Sequence, residues 1–145
     1  AHIMHFRLID RVIEREPTRL VALKQVSLSE EYLQDHFPTF PVLPGVLMLE
    51  AMVQAARELA DPDCGSNPPL VLGSVRALKY GRFVTPGSTI RVTVELKSAP
   101  GQTPVDAKGT VEIMPSADGE GGGVAASGRI SLRRAVVPTP APAGR

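Results

Sequence analysis

The run HFPTFPVLPGVLMLEAMVQAA, His36 to Ala56, changes character at its centre. Pro38, Pro41 and Pro44 each fix φ and remove an amide donor, so residues 36 to 44 read as a stiff, extended strap that cannot continue a helix. From Gly45 the apolar density around Val46, Leu47, Met48 and Leu49 predicts a helix from Gly45 to about Ala60, buried on nearly every side. Outward from this helix the strand signals begin. Ile90, Val92, Val94 and Leu96 alternate with Arg91, Thr93, Glu95 and Lys97, the period-two pattern of a strand with one buried face. Leu20 to Leu28, Thr110 to Met114 and Val124 to Leu132 also read as strands, and Pro115 to Gly123 as a hairpin loop. One long apolar helix among several strands gives an α+β class with a sheet packed on the helix.

His36 and Glu50 are the only ionisable residues of that run. A carboxylic acid enclosed by Val, Leu, Met and Ala loses hydration, which favours its protonated form and makes Glu50 a candidate proton donor. Gln54 follows one turn later on the same helical face, placed to hydrogen-bond the acid. The first helical amides, at Gly45, Val46 and Leu47, lack partners within the helix at the positive end of its dipole, so a carbonyl gaining negative charge could sit there. These parts suit proton abstraction beside a carbonyl: His36 as base, the helix N-terminus as oxyanion holder, Glu50 as acid for a departing hydroxyl. Other readings of the same residues stand beside this one. His36 could be a loop residue bonded to backbone, and Glu50 could pair with a distant arginine.

The stretch His36-Phe37-Pro38, Pro41-Val42-Leu43-Pro44-Gly45-Val46-Leu47, Glu50-Ala51 and Gln54-Ala55-Ala56 resembles the beta-hydroxyacyl-ACP dehydratases of FabZ type. Phe6 to Glu14, Val21-Ala22-Leu23-Lys24 and Lys79 to Gly87 extend the likeness over roughly residues 6 to 132. The resemblance implies the hot-dog fold, a curved antiparallel β-sheet wrapped around a long central α-helix. It places the catalytic pair on His36 and Glu50, contributed by different subunits of a dimer, and the thioester carbonyl at the Gly45 and Val46 amides. A branch that also isomerises the double bond carries aspartate at the acid position, so Glu50 favours simple dehydration. The chain departs from the family at Thr39, where glycine is usual, at Phe40, and at Arg82-Phe83 in place of Arg-Pro.

The implied activity is a hydro-lyase: a (3R)-hydroxyacyl-[acyl-carrier-protein] dehydratase giving trans-2-enoyl thioesters in fatty-acid or related lipid synthesis. The alternatives are a hot-dog thioesterase, a polyketide-type dehydratase, or a non-catalytic acyl-binding module. No cofactor is expected, since the substrate rides on the phosphopantetheine of acyl carrier protein. The expected partners are that carrier and a second copy of the chain, with active sites at the dimer interface and a trimer of dimers as the larger assembly. Arg76, Lys79 and Arg82 are candidates to receive an acidic carrier, or else form a solvated strand face.

Composition excludes several classes. The 145 residues suffice for one core, and 43% hydrophobic with 21% charged is ordinary globular usage. A net charge of +1, without interleaved basic and aromatic residues, argues against nucleic acid. The longest apolar run is broken by Glu50 and Gln54, so no membrane span is expected, and no signal peptide is read; cytoplasmic residence follows. One cysteine, Cys64, in a helix-terminating loop allows no intrachain disulfide, and with three histidines gives no metal-ligand spacing. Ala1-His2-Ile3 reads as a cloning remnant, residues 4–134 as the hot-dog domain, and 135–145 as a Pro/Ala-rich disordered tail.

Overall fold

The alternation in Thr89 to Leu96 does what its period requires: Ile90, Val92 and Val94 are almost wholly buried, while Thr89, Arg91 and Thr93 between them keep part of their surface. A computed structural model describes residues 8–26, 43–61, 69–116, 119 and 122–135. Among them run β1 (Arg11–Glu16), β2 (Arg19–Gln25), α1 (Gly45–Ala60), β3 (Leu70–Tyr80), β4 (Thr89–Leu96), β5 (Val105–Ile113) and β6 (Gly123–Arg134). The strands form one antiparallel sheet in the order β1-β2-β4-β5-β6-β3. α1 touches β2, β3, β4, β5 and β6, so the sheet wraps the helix. This is the hot-dog arrangement.

The helix occupies the residues expected of it. Leu47, Met48, Ala51, Met52, Ala55, Ala56 and Leu59 recur at three- and four-residue spacing and are buried against the sheet with Leu20, Val92, Val94, Val111, Ile130 and Leu132. Full burial of a side chain such as Met52 or Leu132 contributes about 1.5–3 kcal/mol. Burial on nearly every side is not observed, however. Val46 is 66% exposed, and Leu49, Glu50, Gln54, Arg57 and Glu58 are only partly covered. The sheet closes over one side of α1, and the other is covered in part: Val53 is buried there, while Gln54 accepts the Leu8 amide and Glu58 pairs with Arg15 of β1.

Two strands exceed their sequence signal. β5 starts at Val105 rather than near Thr110, and β3 runs from Leu70, well before the basic segment at Lys79. β5 hides its alternation behind small residues: Val105, Ala107, Gly109, Val111 and Ile113 face the core, while Asp106, Lys108, Thr110 and Glu112 lie between them. β3 is an edge strand with most of its residues exposed, so no apolar period marks it. Its pairing with β6 slips between Leu72 and Ser74 and again between Arg76 and Lys79, where Ala77 takes a φ of 53°. Lys24, only 8% exposed in β2, places its ammonium 3.4 Å from Asp10, whose other carboxylate oxygen accepts the Gln25 amide at 2.8 Å.

Candidate active site

Pro44 ends the strap in an extended conformation (φ −60°, ψ 142°), with its carbonyl turned into the first helical turn. That carbonyl accepts the Leu47 amide at 3.0 Å and the Met48 amide at 3.3 Å. The Leu47 amide, expected from sequence to be an orphan, is instead satisfied by this tight turn. Gly45 and Val46 are left. No side chain caps this end, and no acidic residue stands in the first turn. Among the described residues neither amide has an acceptor, so both are available to an incoming oxygen at the positive end of the dipole.

The approach to the helix is pinned from outside. The Leu43 amide donates to the Val84 carbonyl at 2.8 Å, tying the end of the strap to the connection between β3 and β4. A groove of about 420 Å³ opens beside that connection, lined in part by Arg82, Phe83, Thr85, Ile113 and Met114. Phe83, the departure from Arg-Pro, is 70% exposed.

Tyr80, at the end of β3, was not singled out by the sequence reading. It pairs with Ala126, a buried residue of β6, and so projects on the helix side of the sheet. A Cβ built on Gly45 would lie 2.8 Å from Cζ and 3.2 Å from Oη of Tyr80. The ring therefore takes the space that any side chain at position 45 would need. Nothing in the linear pattern signals this meeting, because the pairing irregularity upstream sets the direction of Tyr80.

Glu50 stands four residues after Val46 on the side of α1 turned away from the sheet and is half-buried rather than enclosed. The expected isolation from water is absent in the single chain, since this side of the helix faces away from the sheet. Gln54 continues the same stripe, but its Oε1 accepts the Leu8 amide at 3.0 Å and so tethers the segment before β1. A shallow groove of about 200 Å³ borders it, lined by Ile9, Asp10, Arg11, Val12, Gln54 and Glu58. His36, Thr39, Phe40 and Cys64 lie outside the described residues, as does the tail from residue 136. Among the described residues no cluster of His, Cys, Asp and Glu could hold a metal, and no helix is long and apolar enough to cross a membrane.

The sequence and the fold are both matched by known proteins. A FabA-like domain matches residues 1–120. The chain belongs to this FabA-like family. The 3-hydroxyacyl-[acyl-carrier-protein] dehydratase FabZ of Ruminiclostridium cellulolyticum is 38% identical over 122 residues, covering 82% of this chain and 86% of that protein. The FabZ of Lactococcus lactis subsp. cremoris is 36% identical over 121 residues, covering 81% and 83%. Among solved structures, the dehydratase heterocomplex ApeI:P from Xenorhabdus doucetiae superposes with a TM-score of 0.61 at 20% identity, over 85% of this chain and 96% of that one. The protein smu.793 from Streptococcus mutans, bound to acetyl CoA, gives 0.63 at 12% identity, over 93% and 97%. At these identities the structures speak for the fold, and the FabA-like family membership rests on the sequence relatives.

Proposed function

We propose that this FabA-like chain is a 3-hydroxyacyl-[acyl-carrier-protein] dehydratase that removes water from 3-hydroxyacyl thioesters to give trans-2-enoyl thioesters. The observation that carries the reading is the bare start of α1, where the Gly45 and Val46 amides have no acceptor and Glu50 lies about 7.5 Å further along the helix axis. His36 takes the proton from C2, and the electron pair moves onto the thioester oxygen held by those amides. As the enolate collapses to the C2–C3 double bond, the C3–O bond breaks and Glu50 supplies the proton with which the hydroxyl leaves as water. The two carbons lose one water between them and nothing is oxidised or reduced.

The side of α1 turned away from the sheet, with exposed Val46 and half-buried Glu50 on it, supports a homodimer in which a second copy completes this face and each site draws its acid from one subunit and its base from the other. A trimer of such dimers is compatible with the same surface. The outer face of the sheet supports the carrier as partner. Cross-strand pairing puts Lys108, Arg129 and Arg76 side by side on β5, β6 and β3, with Lys79 near them on β3. All four are exposed, and among the described residues none forms an ion pair. Glu95 of β4 stands opposite Lys108 at one end of the row, while Arg129 has like charges on both sides; like charges directly opposite cost roughly 0.2–1 kcal/mol per pair, a cost that binding an acidic surface would reverse. Arg82, the third residue suggested by sequence, is also exposed, and its guanidinium is held by the Gly122 carbonyl at 2.6 Å.

Hydration of a crotonyl thioester, followed by loss of the conjugated enoyl absorbance, tests the activity in its favourable direction. Wild type should consume the enoyl group, and His36→Ala and Glu50→Gln should each lower the rate by ~10²–10⁴-fold. Release of free thiol without hydration would replace the dehydratase with a thioesterase.

A further inference from the structure

We propose that Tyr80 is a further substrate-contacting residue of this site, its hydroxyl a third donor to the thioester oxygen beside the Gly45 and Val46 amides and its ring the wall behind them. The inference rests on the dehydratase reading and adds a residue to it. The ring reaches the helix start because of how β3 ends. Pairing with β6 slips between Arg76 and Lys79, where Ala77 has a φ of 53°, and the strand resumes with Tyr80 opposite the buried Ala126. Bulges of this kind re-aim side chains beside active sites.

Three observations then point the phenol at the substrate. Its Cε1, Cζ and Oη lie 2.9, 2.8 and 3.2 Å from the position a Gly45 Cβ would occupy, so the ring edge lies on the residue whose amide is free. The ring remains 52% exposed although it projects on the helix side, so its outer surface is open to whatever enters the site. The hydroxyl has no hydrogen-bond partner among the described residues, so its proton is free to be donated to an incoming oxygen. An oxygen drawn to the Gly45 amide arrives beside that hydroxyl. A phenol donates to an enolate oxygen more strongly than to a neutral carbonyl, so the contact tightens in the transition state and acts on kcat rather than on KM.

The test compares wild type, Tyr80→Phe and Tyr80→Ala in the hydration of crotonyl-N-acetylcysteamine, an uncharged thioester, with thermal midpoints recorded for each. Tyr80→Phe keeps the ring and should lower kcat by ~10-fold or more, with KM within about twofold and the midpoint unchanged. Tyr80→Ala should show the same loss in kcat and a raised KM as well. Equal kcat for wild type and Tyr80→Phe overturns the donor role while leaving the dehydratase reading intact. Absence of hydration by wild type itself overturns both. A loss in Tyr80→Phe that appears only in KM, or only alongside a lowered midpoint, also overturns it, since that is what a purely structural tyrosine would give.

Discussion

A methyl group at Gly109 would lie 2.7 Å from Sδ and 2.9 Å from Cγ of Met52, a fully buried residue of α1. The long thioether of the helix is seated over a strand position without a side chain, which lets α1 lie close to β5. Gly109→Ala is therefore expected to destabilise the fold by about 1–3 kcal/mol through overpacking, read as a lower urea midpoint with unchanged slope. In the double variant with Met52→Ala the total loss should be smaller than the sum of the two single losses, and strict additivity would contradict the contact. Gly45 presents the opposite case. The atoms nearest its missing Cβ belong to the exposed end of Tyr80, so a substitution there disturbs the site before it disturbs the core. The sequence already marked Gly45, Val46 and Glu50, because a proline strap, a helix start and a lone acid among apolar residues are adjacent features. It misjudged the surroundings of Glu50, since which side of an apolar helix the sheet covers is not encoded in the helix alone.

At the scale of elements, α1 was legible to its ends, Gly45 and Ala60, because prolines stop the helix on one side and the apolar density runs through to the other. β4 was legible from alternation, and β2 and β6 as shorter strand signals. β3 and most of β5 were weaker signals, one an exposed edge and the other alternating with alanine and glycine. Only their register brings Lys108, Arg129 and Arg76 into one row. If that row receives an acidic carrier, Lys108→Glu with Arg129→Glu should raise KM for a crotonyl group on acyl carrier protein by ~10-fold at low salt, and leave turnover of the uncharged N-acetylcysteamine thioester unchanged. The salt dependence of KM should flatten in the variant. Equal KM values for wild type and variant on the carrier substrate would assign the row to solvent.

For the whole molecule, the decisive question is where a site's two proton-transfer groups come from. If His36 and Glu50 of one site belong to different subunits, mixing two inactive proteins, His36→Ala and Glu50→Gln, under subunit exchange forms hybrid dimers with one intact site. Random pairing should restore about a quarter of wild-type activity. Sedimentation of wild type should show a multiple of the 15.4 kDa chain. No recovery from a mixture whose subunits demonstrably exchange would place both groups in one chain. The sequence by itself determined the span of α1 and the α+β class, and marked the candidate acid, base and amides, since backbone restriction and hydrophobic period act over a few neighbouring residues. Tertiary structure alone decided that Tyr80 rests on Gly45, that Met52 fills the space over Gly109, and that Glu50 is half-buried on the side of α1 away from the sheet. Those outcomes depend on strand register, on a bulge and on the side from which a sheet closes over a helix, and these join residues far apart in the chain.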